Sequence, residues 1–237
     1  MNLLKKCAAE FLGAFAIVWG GCGAVAVNQL SDGAISHFGI ATCFGLIVMA
    51  MIYATGHISG AHFNPAVTIA FAVSRHFPKR EIAPYIAAQC LGAIAAGVIL
   101  LETLHPILQS KYPGQMLNLG FTQPMDGLYM TAMMWEFMLT FFLMLVIMSV
   151  ATDFRAIGQA AGLAIGGTVW FEAMFAGPLC GASMNPARSL GPALAGGEWT
   201  HFSAYVAGPV LGAIFGALFY EFIRCHPHEN TEVKGCC

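Results

Sequence analysis

Charge is scarce in this 237-residue chain. Ten Lys and Arg stand against twelve Asp and Glu, the formal net charge is −2, and charged residues make up 9% of the sequence, where soluble domains carry roughly 25%. That shortage excludes a water-exposed surface of ordinary extent, and with no long basic tract present it also excludes nucleic acid as a partner. No disulfide framework is visible: the eight cysteines follow no regular spacing, and Cys7, Cys22, Cys43 and Cys90 stand in apolar runs, where cysteine is ordinarily a small buried hydrophobe. No cleavable leader pattern opens the chain; the first apolar run leads into a full-length span and is expected to be retained. Nor is there a Ser-His or His-Glu constellation at workable spacing, or a convergent set of metal ligands. Neither an enzyme's catalytic residues nor a metal or other cofactor is therefore expected.

What fills the chain is hydrocarbon. Hydrophobic residues reach 58% and the mean hydropathy is +0.71. Runs long enough to cross a bilayer, about 20 residues each, fall near 7–28, 35–55, 82–104, 128–150, 157–177 and 202–223. Two apolar stretches, near 65–74 and 186–195, are too short to span. The expected fold class is an all-α membrane protein with six transmembrane helices and two short helices. Lys5, Lys6, Arg75, Lys79, Arg80, Arg155, Arg224 and Lys234 fall on one side of these spans, and Lys111, in the loop 105–127, falls on the other. The positive-inside rule then places both termini in the cytoplasm. Arg188 belongs to neither side and lies within the membrane. The tail 225–237, with Cys225-His226-Pro227-His228 and Cys236-Cys237, could hold a soft metal but reads first as a plain cytoplasmic tail.

Both short stretches begin with the same tripeptide, Asn64-Pro65-Ala66 and Asn185-Pro186-Ala187. Asn is a preferred N-cap and Pro suits the first turn, so each copy opens a short helix whose N-terminus presents free N–H groups and a partial positive charge. The copies belong to a longer repeat. Glu10-Phe11 matches Glu136-Phe137, Gly60-Ala61 matches Gly181-Ala182, and Leu91-Gly92-Ala93-Ile94 matches Leu211-Gly212-Ala213-Ile214, all at offsets near 120 residues. Repeat one covers about 5–110 and repeat two about 128–224 of a single domain, 1–237. Three spans per half invert the second copy, which brings the two short helices together near the midplane. Irregular backbone at that depth must line a water-filled cavity. Two positive helix ends there describe a pore for uncharged solutes that repels cations. Gly13, Gly20, Gly21, Gly23, Gly92, Gly97, Gly208, Gly212 and Gly216 recur at roughly helical intervals and suit close helix packing.

His57-Ile58-Ser59-Gly60-Ala61-His62-Phe63-Asn64-Pro65-Ala66-Val67-Thr68 and Asn185-Pro186-Ala187-Arg188-Ser189 together resemble the signature of the aquaporin, or major intrinsic protein, family. The segment from Phe175 to Pro192, with Tyr205-Val206 in span six, is similar to the nodulin-like intrinsic proteins and their bacterial relatives. The resemblance implies six tilted helices with two re-entrant half-helices, and a homotetramer in the plasma (inner) membrane with one pore per subunit. It also implies passage of water, glycerol, small amides and undissociated metalloid acids such as arsenous, boric or silicic acid. By the same resemblance Arg188 is the arginine of a narrow selectivity filter, with Phe44, Ala173 and Ala182 at the other filter positions. Strict water channels carry His where Ala173 stands. Glycerol facilitators carry Asp where Ser189 stands and a second filter aromatic, and nodulin-like filters usually place Trp or a small residue at Phe44.

Further roles follow from the same likeness. Glu10 and Glu136 would hold backbone N–H groups of the re-entrant loops, His57 and His62 would pack the first loop, and carbonyls of 59–62 and 180–183 would accept from solute. Glu172 is expected to snorkel at the outer end of span five, the pore mouth being the other placement. Cys180 is expected in the outer vestibule as a thiol-reagent site, a sulfur turned into the protein being the alternative. A strictly water-selective channel is the nearest rival function. An inverted-repeat secondary transporter is more remote, because the spans hold few ionisable residues beyond these three glutamates.

Overall fold

The computed structural model describes residues 2–153 and 158–224; Arg155, Lys234 and the Cys/His tail lie outside them. Among the described residues six helices are long and apolar enough to cross a membrane, and no strand occurs. In chain order the helices are α1 (Leu3–Leu30), α2 (Ser36–Ser59), α3 (Pro65–Val73), α4 (Ile82–Lys111), α5 (Tyr129–Thr152), α6 (Ala161–Cys180), α7 (Pro186–Gly196) and α8 (Ala204–Ile223). The two halves thus share one order: two spans, a half-length helix, and a third span.

The packing interlocks the halves. α1 lies along α4 and, equivalently, α5 along α8, while α2 crosses α6 between halves. Each half-helix packs on the third span of the other half, α3 against α8 and α7 against α4. Close approach is made at glycines in equivalent places. A Cβ on Gly92 would stand 2.2 Å from the Phe11 carbonyl oxygen, and one on Gly212 would stand 2.2 Å from that of Phe137. Gly20, by contrast, has no neighbour nearer than 3.5 Å and is not needed for packing.

Three features depart from the sequence expectation. First, α4 runs through Pro106 to Lys111, so Lys111 ends a helix, and 112–128 is the connecting segment. The end is fastened from outside: Lys111 Nζ donates to Asp32 Oδ2 at 2.7 Å and to the Leu30 carbonyl at 2.8 Å. Tyr112 Oη donates to the other Asp32 oxygen. These bonds, that from Lys111 first, hold the Asp32 carboxyl below the usual carboxylate range. Secondly, α6 starts at Ala161 and passes Pro178 before ending at Cys180; neighbouring helices re-satisfy the backbone groups that an intramembrane Pro frees. Thirdly, α1 contains one π-helical turn, Val18–Cys22. Such turns recur at functional sites. Here it presents Gly21 to the Phe44 ring, where a Cβ would stand 2.2 Å from a ring carbon.

The Gly212 contact is with backbone, which cannot step aside. Gly212→Val is expected to cost about 3 kcal/mol or more through overpacking, whereas Gly167→Ala, with nothing within 4 Å, should be neutral. Thermal unfolding of the purified proteins in detergent checks this; equal midpoints for the two variants would refute the close-packed crossing.

Candidate functional site

The site is built from the two loops that precede the half-helices. α2 is capped by Gly60 and α6 by Gly181, both left-handed with φ of 89° and 86°. The chain then passes through Ala61 and Phe63 (φ 53° and 52°) in one loop, and Ala182 and Met184 (φ 38° and 53°) in the other. Left-handed backbone at residues with a Cβ costs roughly 1–2 kcal/mol each. Two buried carboxyls offset that strain. Glu10 accepts from the His62 and Phe63 N–H groups at 3.0 and 2.7 Å, and Glu136 accepts from those of Ser183 and Met184 at 2.7 Å each. Hydrogen bonds to a charged acceptor contribute about 1.5–3 kcal/mol apiece.

The asparagines close each loop onto its helix and onto the other loop. Asn64 Oδ1 accepts from Ala66 N at 2.9 Å and Asn185 Oδ1 from Ala187 N at 3.0 Å. Pro65 and Pro186 occupy the first turns. Across the pseudo-twofold axis, Asn64 Nδ2 donates to the Met184 carbonyl at 2.6 Å, and Asn185 Nδ2 to the Phe63 carbonyl at 2.9 Å. Each amide carries two N–H bonds, so each keeps one for the space between.

That space is a cavity of about 490 Å³. Asn64, Asn185, His57, His62, Phe44, Ala173, Ala182 and Arg188 all line it, among mostly apolar side chains. His57 lies towards one end and Arg188 towards the other. Arg188 is buried: Nη1 donates to the Gly120 carbonyl at 2.6 Å, its guanidinium carbon stands 4.9 Å from the Phe44 ring centroid, and Nε has no partner among the described residues. Pro65, Ala66, Pro186 and Ala187 are buried beneath the cavity wall. The carbonyls of 60–62 and 181–183 accept no hydrogen bond from the described residues. Those of Ser59 and Cys180, which the sequence suggested as solute acceptors, are taken by Tyr85 Oη at 2.8 Å and Tyr205 Oη at 2.7 Å.

Two placements overturn expectations. Glu172 does not snorkel. It is 1% exposed, and neither carboxyl oxygen has a hydrogen-bond partner among the described residues. The helix carries it inward: α6 turns Ala173 to the cavity and its neighbour into the packed interior. Cys180 does not face the vestibule either. It is fully buried and absent from the cavity wall, with Sγ 3.6 Å from Glu136 Oε1 and 3.5 Å from the Ala176 carbonyl. It ends α6 behind the loop that Glu136 holds, so the thiol is shielded from reagents in the lumen.

Residues beyond those the sequence singled out, together with His62, complete the scaffold. Ser183 Oγ donates to the Asn185 carbonyl at 2.9 Å and lies 2.5 Å from Ser189 Oγ, which takes a bond from Thr122 Oγ1 at 3.0 Å. Each hydroxyl has one proton, so the chain runs Thr122 to Ser189 to Ser183 to Asn185. The equivalent positions in the first loop are His62 and Thr68, whose Nδ1 and Oγ1 are 3.1 Å apart. Thr68 gives its proton to the Asn64 carbonyl at 3.0 Å, which makes His62 Nδ1 the donor. Gln89 Nε2 joins Thr68 Oγ1 at 3.0 Å to Glu10 Oε2 at 2.7 Å. The 121-residue offset between the two Asn-Pro-Ala copies was the signal that could have found these pairs.

Residues 1–220 match the family described as Major intrinsic protein. Aquaporin NIP1-1 of Oryza sativa subsp. japonica is 49% identical over 222 residues, covering 93% of this chain and 75% of that protein. Putative aquaporin NIP4-1 of Arabidopsis thaliana is 47% identical over 222 residues, covering 94% and 75%. Among solved structures, the aquaglyceroporin from Plasmodium falciparum superimposes with a TM-score of 0.83 at 25% identity, over 94% of this chain and 97% of that one.

The two buried glutamates on α5 and α6 should respond oppositely to replacement. Glu136→Leu strands two buried N–H groups and is expected to cost about 3–5 kcal/mol. Glu172→Leu removes an unpaired buried carboxyl and should leave stability unchanged or raise it by about 1–3 kcal/mol. Thermal survival of the folded species on size-exclusion chromatography reads both, and a comparable loss in the two variants would contradict the assignment.

Proposed function

This chain belongs to the major intrinsic protein, or aquaporin, family, and from that membership we propose a passive channel for glycerol-like polyols and undissociated metalloid acids, such as arsenous, boric or silicic acid, as well as water. The carrying observation is the set of side chains that line the cavity together with Arg188. Phe44 supplies one aromatic wall, Ala173 and Ala182 supply methyls, and Arg188 supplies donors. Two small walls leave room for a compact molecule bearing several hydroxyls, whose carbon or central atom lies against Phe44 while its oxygens meet the guanidinium. The aquaglyceroporin likeness and the NIP-type relatives support the same direction.

Below this filter a solute oxygen accepts the free N–H of Asn64 and of Asn185, and its own protons turn to the unoccupied carbonyls of 60–62 and 182–183. A water held in that way cannot donate along the file, so a continuous proton wire is broken. The half-helix N-termini and Arg188 add an electrostatic barrier to cations. Glu10, Glu136, His57 and His62 are assigned to holding the loops, the two histidines also lining the cavity.

Orientation and assembly belong to the same reading. Lys6 pairs with Glu81 at 2.8 Å, and Glu221 pairs with His76 at 2.7 Å and Arg224 at 3.1 Å. The start of α1, the start of α4 and the end of α8 therefore share the end of the bundle rich in Lys and Arg, which is assigned to the cytoplasm. Arg188 then stands towards the outside. The inverted repeats, about 5–110 and 128–224, form one channel domain. A homotetramer in the plasma (inner) membrane, with a pore in each subunit, completes the proposal.

Stopped-flow measurements on proteoliposomes test it. The parent should pass water, glycerol and boric acid above the lipid background, and Ala173→His should cut glycerol and boric acid flux by about tenfold while sparing water. A parent passing water alone would establish the water-selective alternative. Equal losses of all three in the variant would remove Ala173 from selectivity.

A further inference from the structure

The filter arginine is held from a place outside the filter. Gly120, whose carbonyl takes the Arg188 Nη1 bond, lies on the segment joining α4 to α5, and its left-handed φ of 78° turns that carbonyl towards the guanidinium. A side chain at this position would have its Cβ 3.1 Å from Cys22 Sγ, in the π turn of α1. Two residues earlier, Asn118 Oδ1 accepts from Gly120 N at 2.9 Å. The backbone of Asn118 is in turn fixed by α1: its N–H donates to Gln29 Oε1 at 2.8 Å, while Gln29 Nε2 donates to the Met116 carbonyl at 3.0 Å. The primary amide of Gln29 thus serves this extended segment as a neighbouring strand would, satisfying a donor and an acceptor that alternate along one edge. Leu117 and Leu119 point the other way and are buried.

We propose that Gln29 is a positioning residue for Arg188, setting the selectivity of the pore through Asn118 and Gly120 without lining it. The segment has a second anchorage, where Thr122 Oγ1 meets Ser189 and Met125 N donates to the Leu179 carbonyl at 2.8 Å. Gly120 lies between the two. Releasing the Gln29 end lets the Gly120 carbonyl move while the far end stays attached, so the effect falls on the guanidinium and not on the bundle. Gln29 is half-buried at the end of α1 and absent from the cavity wall. This inference rests on the proposed solute channel for the choice of permeant, though the mechanical link to Arg188 applies to water as well.

The test uses the full chain in proteoliposomes with two substitutions, Gln29→Leu, which keeps the bulk and removes both bonds, and Gln29→Glu, which keeps the acceptor for Asn118. Each is made with Arg188 present and in an Arg188→Val background, with insertion measured to normalise flux. Gln29→Leu should shift the glycerol-to-water permeability ratio by about two- to tenfold, the range one or two hydrogen bonds span, with Gln29→Glu between it and the parent. The shift should vanish in the Arg188→Val background. An unchanged ratio at normal insertion, or the same shift with and without Arg188, would overturn the proposal. A parent that conducts only water would defeat the solute reading alone; the Arg188-dependent change is then read in water permeability itself, and its absence there overturns the role of Gln29.

Discussion

The reciprocal bonds between Asn64 and the Met184 carbonyl and between Asn185 and the Phe63 carbonyl are the constraint on which the rest of the molecule depends. Each asparagine is at once the N-cap of its own half-helix and a donor to the other loop. The midplane is therefore a closed ring of hydrogen bonds that neither half completes alone. Because α3 packs on α8 and α7 on α4, the two repeats cannot separate without breaking both this ring and the apolar contacts around it.

The ring requires loops whose carbonyls face one way, and that requirement explains the buried glutamates. Left-handed backbone at Ala61, Phe63, Ala182 and Met184 gathers N–H groups on the side away from the cavity, where water cannot satisfy them. Glu10 and Glu136 do so instead. Tyr85 and Tyr205 occupy the carbonyls at the ends of α2 and α6, while those of 60–62 and 181–183 accept no bond from the described residues. Polar capacity is thereby removed from the packed side of each loop and retained on the cavity side. Glu172 is the exception, a carboxyl buried without a partner, and it has no part in this scheme.

Much of this was legible in the sequence because it repeats. The six spans, the half-helices at Asn64 and Asn185 and the pairing of Glu10 with Glu136 could be read from hydropathy, capping chemistry and a common offset. Helix ends were harder. The third span reads as ending near 104, yet α4 continues through Pro106 to Lys111, where Lys111 and Tyr112 are fastened to Asp32, a residue 79 positions from Lys111 in sequence. Cys180 and Glu172 were misplaced for a related reason: sequence gives a residue's height in a span but not which neighbour covers it. The π turn and the contact of the Gly120 carbonyl with Arg188 carry no local signature.

The central claim is that two opposed helix ends, Asn64, Asn185 and Arg188 together make a path open to neutral molecules and closed to ions. Planar-bilayer recording at neutral pH, paired with water permeability of vesicles from the same preparation, tests it most directly. The account predicts strong water conduction with no current carried by Na⁺, K⁺ or protons. A reproducible single-channel current carried by any of these, abolished when the protein is omitted, would contradict it.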